Sequence, residues 1–354
     1  MDAIIVGNGL AGSLLADALE ACGASCAIID DRNPATASRV APGIVNPLAG
    51  KRMHPSWRVE AQLPAARTTY RRLEARFGVP LFSEMPIVRI LRNAFECETF
   101  ARRLQDPRAR PYIGTPNPPG LAPGVLDDPN GSFTAHGSGR LHIDRLQAGI
   151  ESRLAGRNRF LHDRFDPSRL QRSPGSVRYH TWAAPVLVFC EGWRGRENSF
   201  FRHLPFKPAK GEMLTLESDQ PLPPTLKNTI INCGKWLLPV GENRFRAGAT
   251  YGWDRLDHSS TPQGRTAILE ALAACLAIPF RVVGQDAGVR PAIADYRPAI
   301  GRHPRFPELA ICNGFGSKGA LVAPWVTAQL AAYLCNETPV DPEIDVRRFD
   351  DQTD

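Results

Sequence analysis

The chain has 354 residues, 43% of them hydrophobic and 22% charged, with 43 basic against 36 acidic side chains and a net charge of +7. That composition fits one large or two intertwined globular domains with a sizeable core, and it offers no apolar run long enough to span a bilayer: Ala320 to Cys335 is broken by Pro324, Thr327 and Gln329. The eight cysteines make no C-x-x-C pair and read as small hydrophobes in a reducing compartment, no dense basic block marks a nucleic-acid surface, and the lack of a basic leader makes the cytoplasm the expected location.

Ala3-Ile4-Ile5-Val6 is a short apolar run of the kind that forms a buried parallel strand. Gly7, Gly9 and Gly12 follow in G-x-G-x-x-G spacing, and Leu10, Leu14, Leu15, Ala18 and Leu19 recur at helical spacing up to a stop at Gly23. Ser25 to Ile29 is a second apolar run, ending in Asp30 and Asp31. Strand, glycine turn, helix, strand and acid within thirty residues is the pattern of a dinucleotide site. Gly7 permits the tight turn, Gly9 lets a phosphate approach the backbone, and Gly12 lets helix and strand pack closely. Leu10 and Ala11 open the helix whose free N–H groups and dipole face the pyrophosphate. Asp30 can accept both adenosine ribose hydroxyls, and its charge disfavours a 2′-phosphate.

These glycines do not separate NAD from FAD, but the following chain does. An NAD dehydrogenase keeps alternating strand and helix to about residue 150, and here the alternation stops. A long loop follows Asp30, then a helix from about Trp57 to Phe77, then a strand-rich stretch around Val88 to Leu91. Gly114 to Ser132 is rich in proline and glycine and reads as loop. Near the C-terminus, Leu309 to Cys312 reads as a strand, followed by a glycine-rich turn and a helix from about Gly319. The interrupted pattern points to a two-domain flavoprotein whose chain crosses between domains several times.

Several segments together resemble the D-amino-acid oxidase superfamily of FAD enzymes, near glycine oxidase and sarcosine oxidase. They are Gly7 to Asp30, "SRVAPGIVNP" (38–47), "GSGRLHIDRL" (137–146), "PVLVFCEGW" (185–193), "LPFKPAKGEML" (204–214), "GATYGWD" (248–254), "GVRPAIADYRPAIGRHP" (288–304) and "GFGSKGALVAP" (314–324). The resemblance implies an α/β fold. A discontinuous Rossmann-like FAD domain of the glutathione-reductase type takes residues 1–81, 137–207 and 281–354, and an α+β, mostly antiparallel substrate domain takes 82–136 and 208–280. It implies that Ser38, Arg39, Gly43 and Ile44 pass the pyrophosphate and reach the flavin, and that Gly192 lies beside the adenosine. It implies too that Gly316, Ser317, Lys318, Gly319 and Ala320 bring a helix N-terminus to the flavin, where negative charge builds on reduction. Lys318 departs from the family pattern, and it either adds a cation near the flavin or points to solvent. Val40 stands where some relatives carry a flavin-linking histidine, and no linking cysteine surrounds Arg290, so FAD is expected to be held without a covalent bond.

The arginine of G-x-R-P, Arg290, is the implied carboxylate ligand, because a guanidinium fork suits a carboxylate bidentately; the other reading pairs it with Asp286 or Asp295. Tyr251 either hydrogen-bonds a carboxylate or packs in the core, and His54 either lines the pocket or lies on the surface. No histidine has metal-ligand spacing, so no metal is expected. The reaction this implies is oxidation of the C–N bond of an amino acid or amine, by hydride transfer to the flavin, with O2 or another acceptor taking the electrons. Three other readings stand beside it: a tRNA-modifying FAD oxidase acting on a carboxymethylaminomethyl-uridine, a 2-hydroxy-acid dehydrogenase using a base such as His54, and a non-catalytic flavin-binding protein. Nucleic acid is the less expected partner.

Overall fold

The computed structural model describes residues 1–352. Its first sheet has six strands in the order Phe160–His162, Cys26–Asp30, Ala3–Val6, Leu187–Phe189, Leu309–Asn313 and Ala299–Arg302. The first five run parallel and the last is antiparallel. Ala3–Val6 is central and wholly buried, which is why it carries no alternation of polar residues. Helices α1 (Leu10–Ala21), α3 (Val59–Phe77), α5 (Ile143–Ala155) and α7 (Gly319–Asn336) contribute to the core on one face; α2 (Ala37–Val40) is a single turn and α4 spans Ala94–Leu104. A second core, containing Phe189, Phe201 and Tyr179, covers the other face.

The second sheet has eight strands, in the order Arg281–Arg290, Ala209–Glu217, Arg244–Gly248, Trp236–Pro239, Ile230–Asn232, Ile87–Ile90, Ser132–Ala135 and Ile113–Asn117. Every pair is antiparallel except Ile230–Asn232 with Ile87–Ile90. Helix α6 (Pro262–Ala273) packs on it through Ile268 and Leu272.

Two details differ from the sequence reading. Ile113–Asn117 is a strand, although it begins the stretch read as loop. It lies at the sheet edge, where Pro116 costs no ladder hydrogen bond because its missing N–H faces outward. The expected boundary at residue 281 precedes a strand of the other sheet: Arg281–Arg290 pairs along its length with Ala209–Glu217. Glycines in this pair let neighbours close on its faces: Gly288 leaves room for Val40 of α2, and Gly211, on the partner strand, for the Arg290 guanidinium.

Candidate active site

The six-stranded sheet ends in a cavity of about 1040 Å³ that continues under the eight-stranded sheet. That is the upper end of the range for small-molecule sites, about 300–1,000 Å³, and leaves room for a dinucleotide and a substrate together.

At the dinucleotide end, Gly7 has φ +104°, and a Cβ there would come 2.6 Å from the Cys190 carbonyl oxygen. A Cβ at Gly12 would overlap the Gly7 carbonyl oxygen, so Gly12 stands behind the lining and fixes how closely α1 approaches the strand. No side chain of the N-cap residue Gly9 closes the end of α1; the Leu10 N–H donates to Ser38 Oγ at 2.9 Å. Asp30 accepts from the backbone N–H groups of Asn8 and Arg32, each at 2.7 Å. Both of its oxygens retain a lone pair for a further donor. The cradle therefore fits a dinucleotide with an unmodified ribose. Gly7, Gly9, Leu10, Ala11, Asp30, Asp31, Ser38, Gly43, Ile44 and Gly192 all line it.

Two residues read as cofactor or catalytic contacts do not. Arg39 is exposed, because the single turn of α2 directs Ala37, Ser38 and Val40 inward and Arg39 outward. His54 is also exposed and off the cavity. Its Nδ1 lies 2.7 Å from Nη2 of Arg103, on α4. Slight burial and the neighbouring Arg103, Arg52 and Arg102 lower its pKa.

Helix α7 brings a second N-terminus to the cavity. Gly314 (φ +88°) and Gly316 (φ +55°) make the turn before it, and Gly316 to Ala320 line the cavity. Lys318 turns inward: its Nζ donates to the Asn46 carbonyl oxygen and to Ser56 Oγ. Both partners are neutral, and burial pushes its pKa down to about 8. Below pH 8 the cavity therefore carries an ammonium here, and above it a neutral amine. A flavin in this cavity is expected to lose midpoint potential more steeply as pH rises through about 8, and Lys318→Met should remove that inflection. Spectroelectrochemical titration of both proteins checks it; superimposable curves would place Lys318 out of electrostatic reach of the flavin.

At the other end Arg290 lines the cavity with Tyr251, Trp236, Met213 and Asn232. Its guanidinium donates to the carbonyl oxygens of Lys210 (3.2 Å) and Thr250 (3.0 Å), and it lies 4.0 Å from the centre of the Tyr251 ring. The two acids that compete for it in the sequence are engaged elsewhere, Asp286 with Arg246 at 3.1 Å and Asp295 with Arg348 at 3.0 Å. Lys235, which the sequence reading missed, adds a second cation. Its Nζ donates to the Ala249 carbonyl oxygen at 2.7 Å, and burial, then the Arg290 charge, lower its pKa. Among the described residues, none of Arg290, Lys235 and Lys318 has a carboxylate partner. Glu191, also missed, lines the dinucleotide end; burial raises its pKa, and Asn198 Nδ2 donates to it at 2.7 Å. Only its place directly before Gly192 signals it in the sequence.

Comparison with known proteins follows the same lines. A family model described as FAD dependent oxidoreductase, DAO, matches residues 2–334. Glycine oxidase of Bacillus subtilis is 32% identical over 165 residues, 44% of this chain and 42% of that protein. The tRNA 5-methylaminomethyl-2-thiouridine biosynthesis bifunctional protein MnmC of Hahella chejuensis is 34% identical over 154 residues, 40% of this chain and 24% of that protein. The matched stretches thus span less than half the length of these curated relatives. Among solved structures, glycine oxidase from Geobacillus kaustophilus superposes with a TM-score of 0.78 at 20% identity, covering 98% of this chain and 97% of that one. Iminodiacetate oxidase from Chelativorans sp. BNC1 superposes with a TM-score of 0.76 at 23% identity, covering 97% and 98%. These likenesses establish the fold. Because the family match runs across both sheets and the cavity they share, the chain belongs to the DAO family of FAD-dependent oxidoreductases.

Proposed function

We propose that this flavoenzyme oxidises the C–N bond of an amine that carries a carboxylate: an amino acid or an N-substituted glycine. The observation that supports this most directly is the Arg290 guanidinium, on the cavity wall and without an acidic partner. A buried cation lacking a counter-ion is costly, and an anionic substrate relieves that cost. Arg290 holds the carboxylate in a fixed fork, Lys235 adds positive potential, and Tyr251 limits where the rest of the molecule lies. The chain needs no strong base, since orientation does most of the work. FAD, which the α1 terminus and Asp30 would hold without a covalent bond, would supply two-electron oxidation of the carbon beside the nitrogen. The imine left behind adds water and releases the amine. The electrons pass on to O2 or another acceptor.

The hydroxy-acid reading is less well supported, because its base, His54, lies off the cavity. The tRNA reading keeps one specific support, the exposed Tyr251 against Arg290 with the exposed Trp253 next to it, alongside the likeness to the tRNA-biosynthesis protein. Anaerobic mixing of the holoenzyme with glycine, sarcosine, iminodiacetate and 2-hydroxy acids separates the amine from the hydroxy-acid reading. Bleaching of the flavin at 450 nm or so is expected with the amines, at a rate that His54→Ala changes by less than about twofold, the ordinary scale for a surface substitution. Bleaching by hydroxy acids alone, abolished in His54→Ala, would reverse the assignment.

A further inference from the structure

We propose that the substrate carries a flat, unsaturated group on its amine side, and that Tyr251 and Trp253 receive it at the cavity rim. This rests on the reading that Arg290 holds the carboxylate. Tyr251 and Trp253 are each 54% accessible, although they are large hydrophobic side chains. Such area in water is unusual for core filler and marks a contact surface when it adjoins a cavity. Tyr251 lines the cavity, and Trp253 continues outward from it, the ring centres 6.3 Å apart and inclined by 31°.

The backbone holds the pair in place. Gly252, between them, exchanges two hydrogen bonds with Lys210: its N–H donates to the Lys210 carbonyl at 3.0 Å and its carbonyl accepts from the Lys210 N–H at 2.8 Å. The Lys210 ammonium is itself paired with Asp257, further along the same loop. On an extended, pinned backbone, residues two apart project to the same side. The rings are therefore preorganised, and binding a ligand orders little that was loose.

The Arg290 guanidinium covers one side of the Tyr251 ring at 4.0 Å. A carboxylate gripped by Arg290 thus places the adjoining nitrogen near Tyr251, and a substituent on that nitrogen runs out towards Trp253. Aromatic faces gain more from a flat π-system than from a saturated ring of equal size, because stacking adds to burial. The substrate class that fits is an N-(arylmethyl)glycine or its heteroaromatic equivalent.

The test uses holoenzyme and three thioethers, in which sulfur replaces the amine so that no oxidation occurs: (benzylthio)acetate, (cyclohexylmethylthio)acetate and (methylthio)acetate. Dissociation constants come from perturbation of the flavin absorbance. The benzyl compound is expected to bind at least about fivefold more tightly than the cyclohexylmethyl compound. Trp253→Ala should bring the two within about twofold, and Trp253→Phe should keep most of the preference. FAD content and circular dichroism confirm the fold of each variant. Equal binding of the two rings by the wild type, or a preference that survives Trp253→Ala, overturns the proposal. The underlying reading fails separately, when Arg290→Met leaves the affinity for all three thioethers unchanged. If none of the three binds the wild type, both fall together.

Discussion

Arg290→Met should lower kcat/KM for a carboxylated amine at least about thirtyfold, while FAD content stays near that of the wild type. Truncating one partner of a buried, hydrogen-bonded charge pair costs about 2–5 kcal/mol, and 1.4 kcal/mol is tenfold. The Arg290 pKa is lowered by burial, so its charge is poorly solvated before substrate arrives and an incoming carboxylate gains correspondingly. Arg290→Lys should lose less, keeping a cation but not the planar fork. Arg290 also satisfies the carbonyl oxygens of Lys210 and Thr250, so both variants should melt somewhat earlier. What separates a substrate ligand from a structural arginine is therefore selectivity: the loss should appear with carboxylated amines and be much smaller with the matching decarboxylated amine. Equal losses on both would make Arg290 a structural residue.

Asp30→Ala should raise the dissociation constant for FAD at least tenfold. Each hydrogen bond to a charged group is worth about 1.5–3 kcal/mol, and two hydroxyls of an unmodified ribose can use the lone pairs that Asn8 and Arg32 leave free. The same substitution frees the Asn8 N–H, in the glycine turn itself, so the cradle also loses a tether. Asp30→Asn should fall between, keeping an acceptor without the charge. Titration of apoprotein with FAD, followed by quenching of the flavin fluorescence, measures all three proteins. An unchanged constant in Asp30→Ala would mean that the ribose is held elsewhere.

The dinucleotide end was legible in the sequence because its constraints are local. Gly7 needs φ +104°, and the Cβ of any other residue at Gly12 would overlap the turn's own carbonyl. Such demands select glycine at fixed spacing, and a buried parallel strand must be apolar throughout. The second glycine turn, at Gly314 and Gly316, could be read for the same reason. Arg39 could not be placed, because a single helical turn carries too few residues to show which side faces in. The edge strand Ile113–Asn117 was missed because its proline argues against a strand everywhere except at an edge, and edge position is a property of the assembled sheet.

The sequence by itself determined the strand–turn–helix–acid unit and the second glycine turn, and the joint resemblance of several segments carried the family and, with it, the cofactor. Only the tertiary structure decided which charges remain unspent. Asp286 and Asp295 stand within five residues of Arg290, yet they pair with Arg246 and Arg348. Lys235, in the turn before Trp236–Pro239, comes within electrostatic reach of Arg290, Lys318 turns inward to Asn46 and Ser56, and His54 turns outward to Arg103. Backbone sterics act between neighbours along the chain and leave a pattern of spacing. Charge pairing and desolvation act through space, so the partners that neutralise a side chain, or leave it free for a substrate, are chosen only when the two sheets close around the cavity.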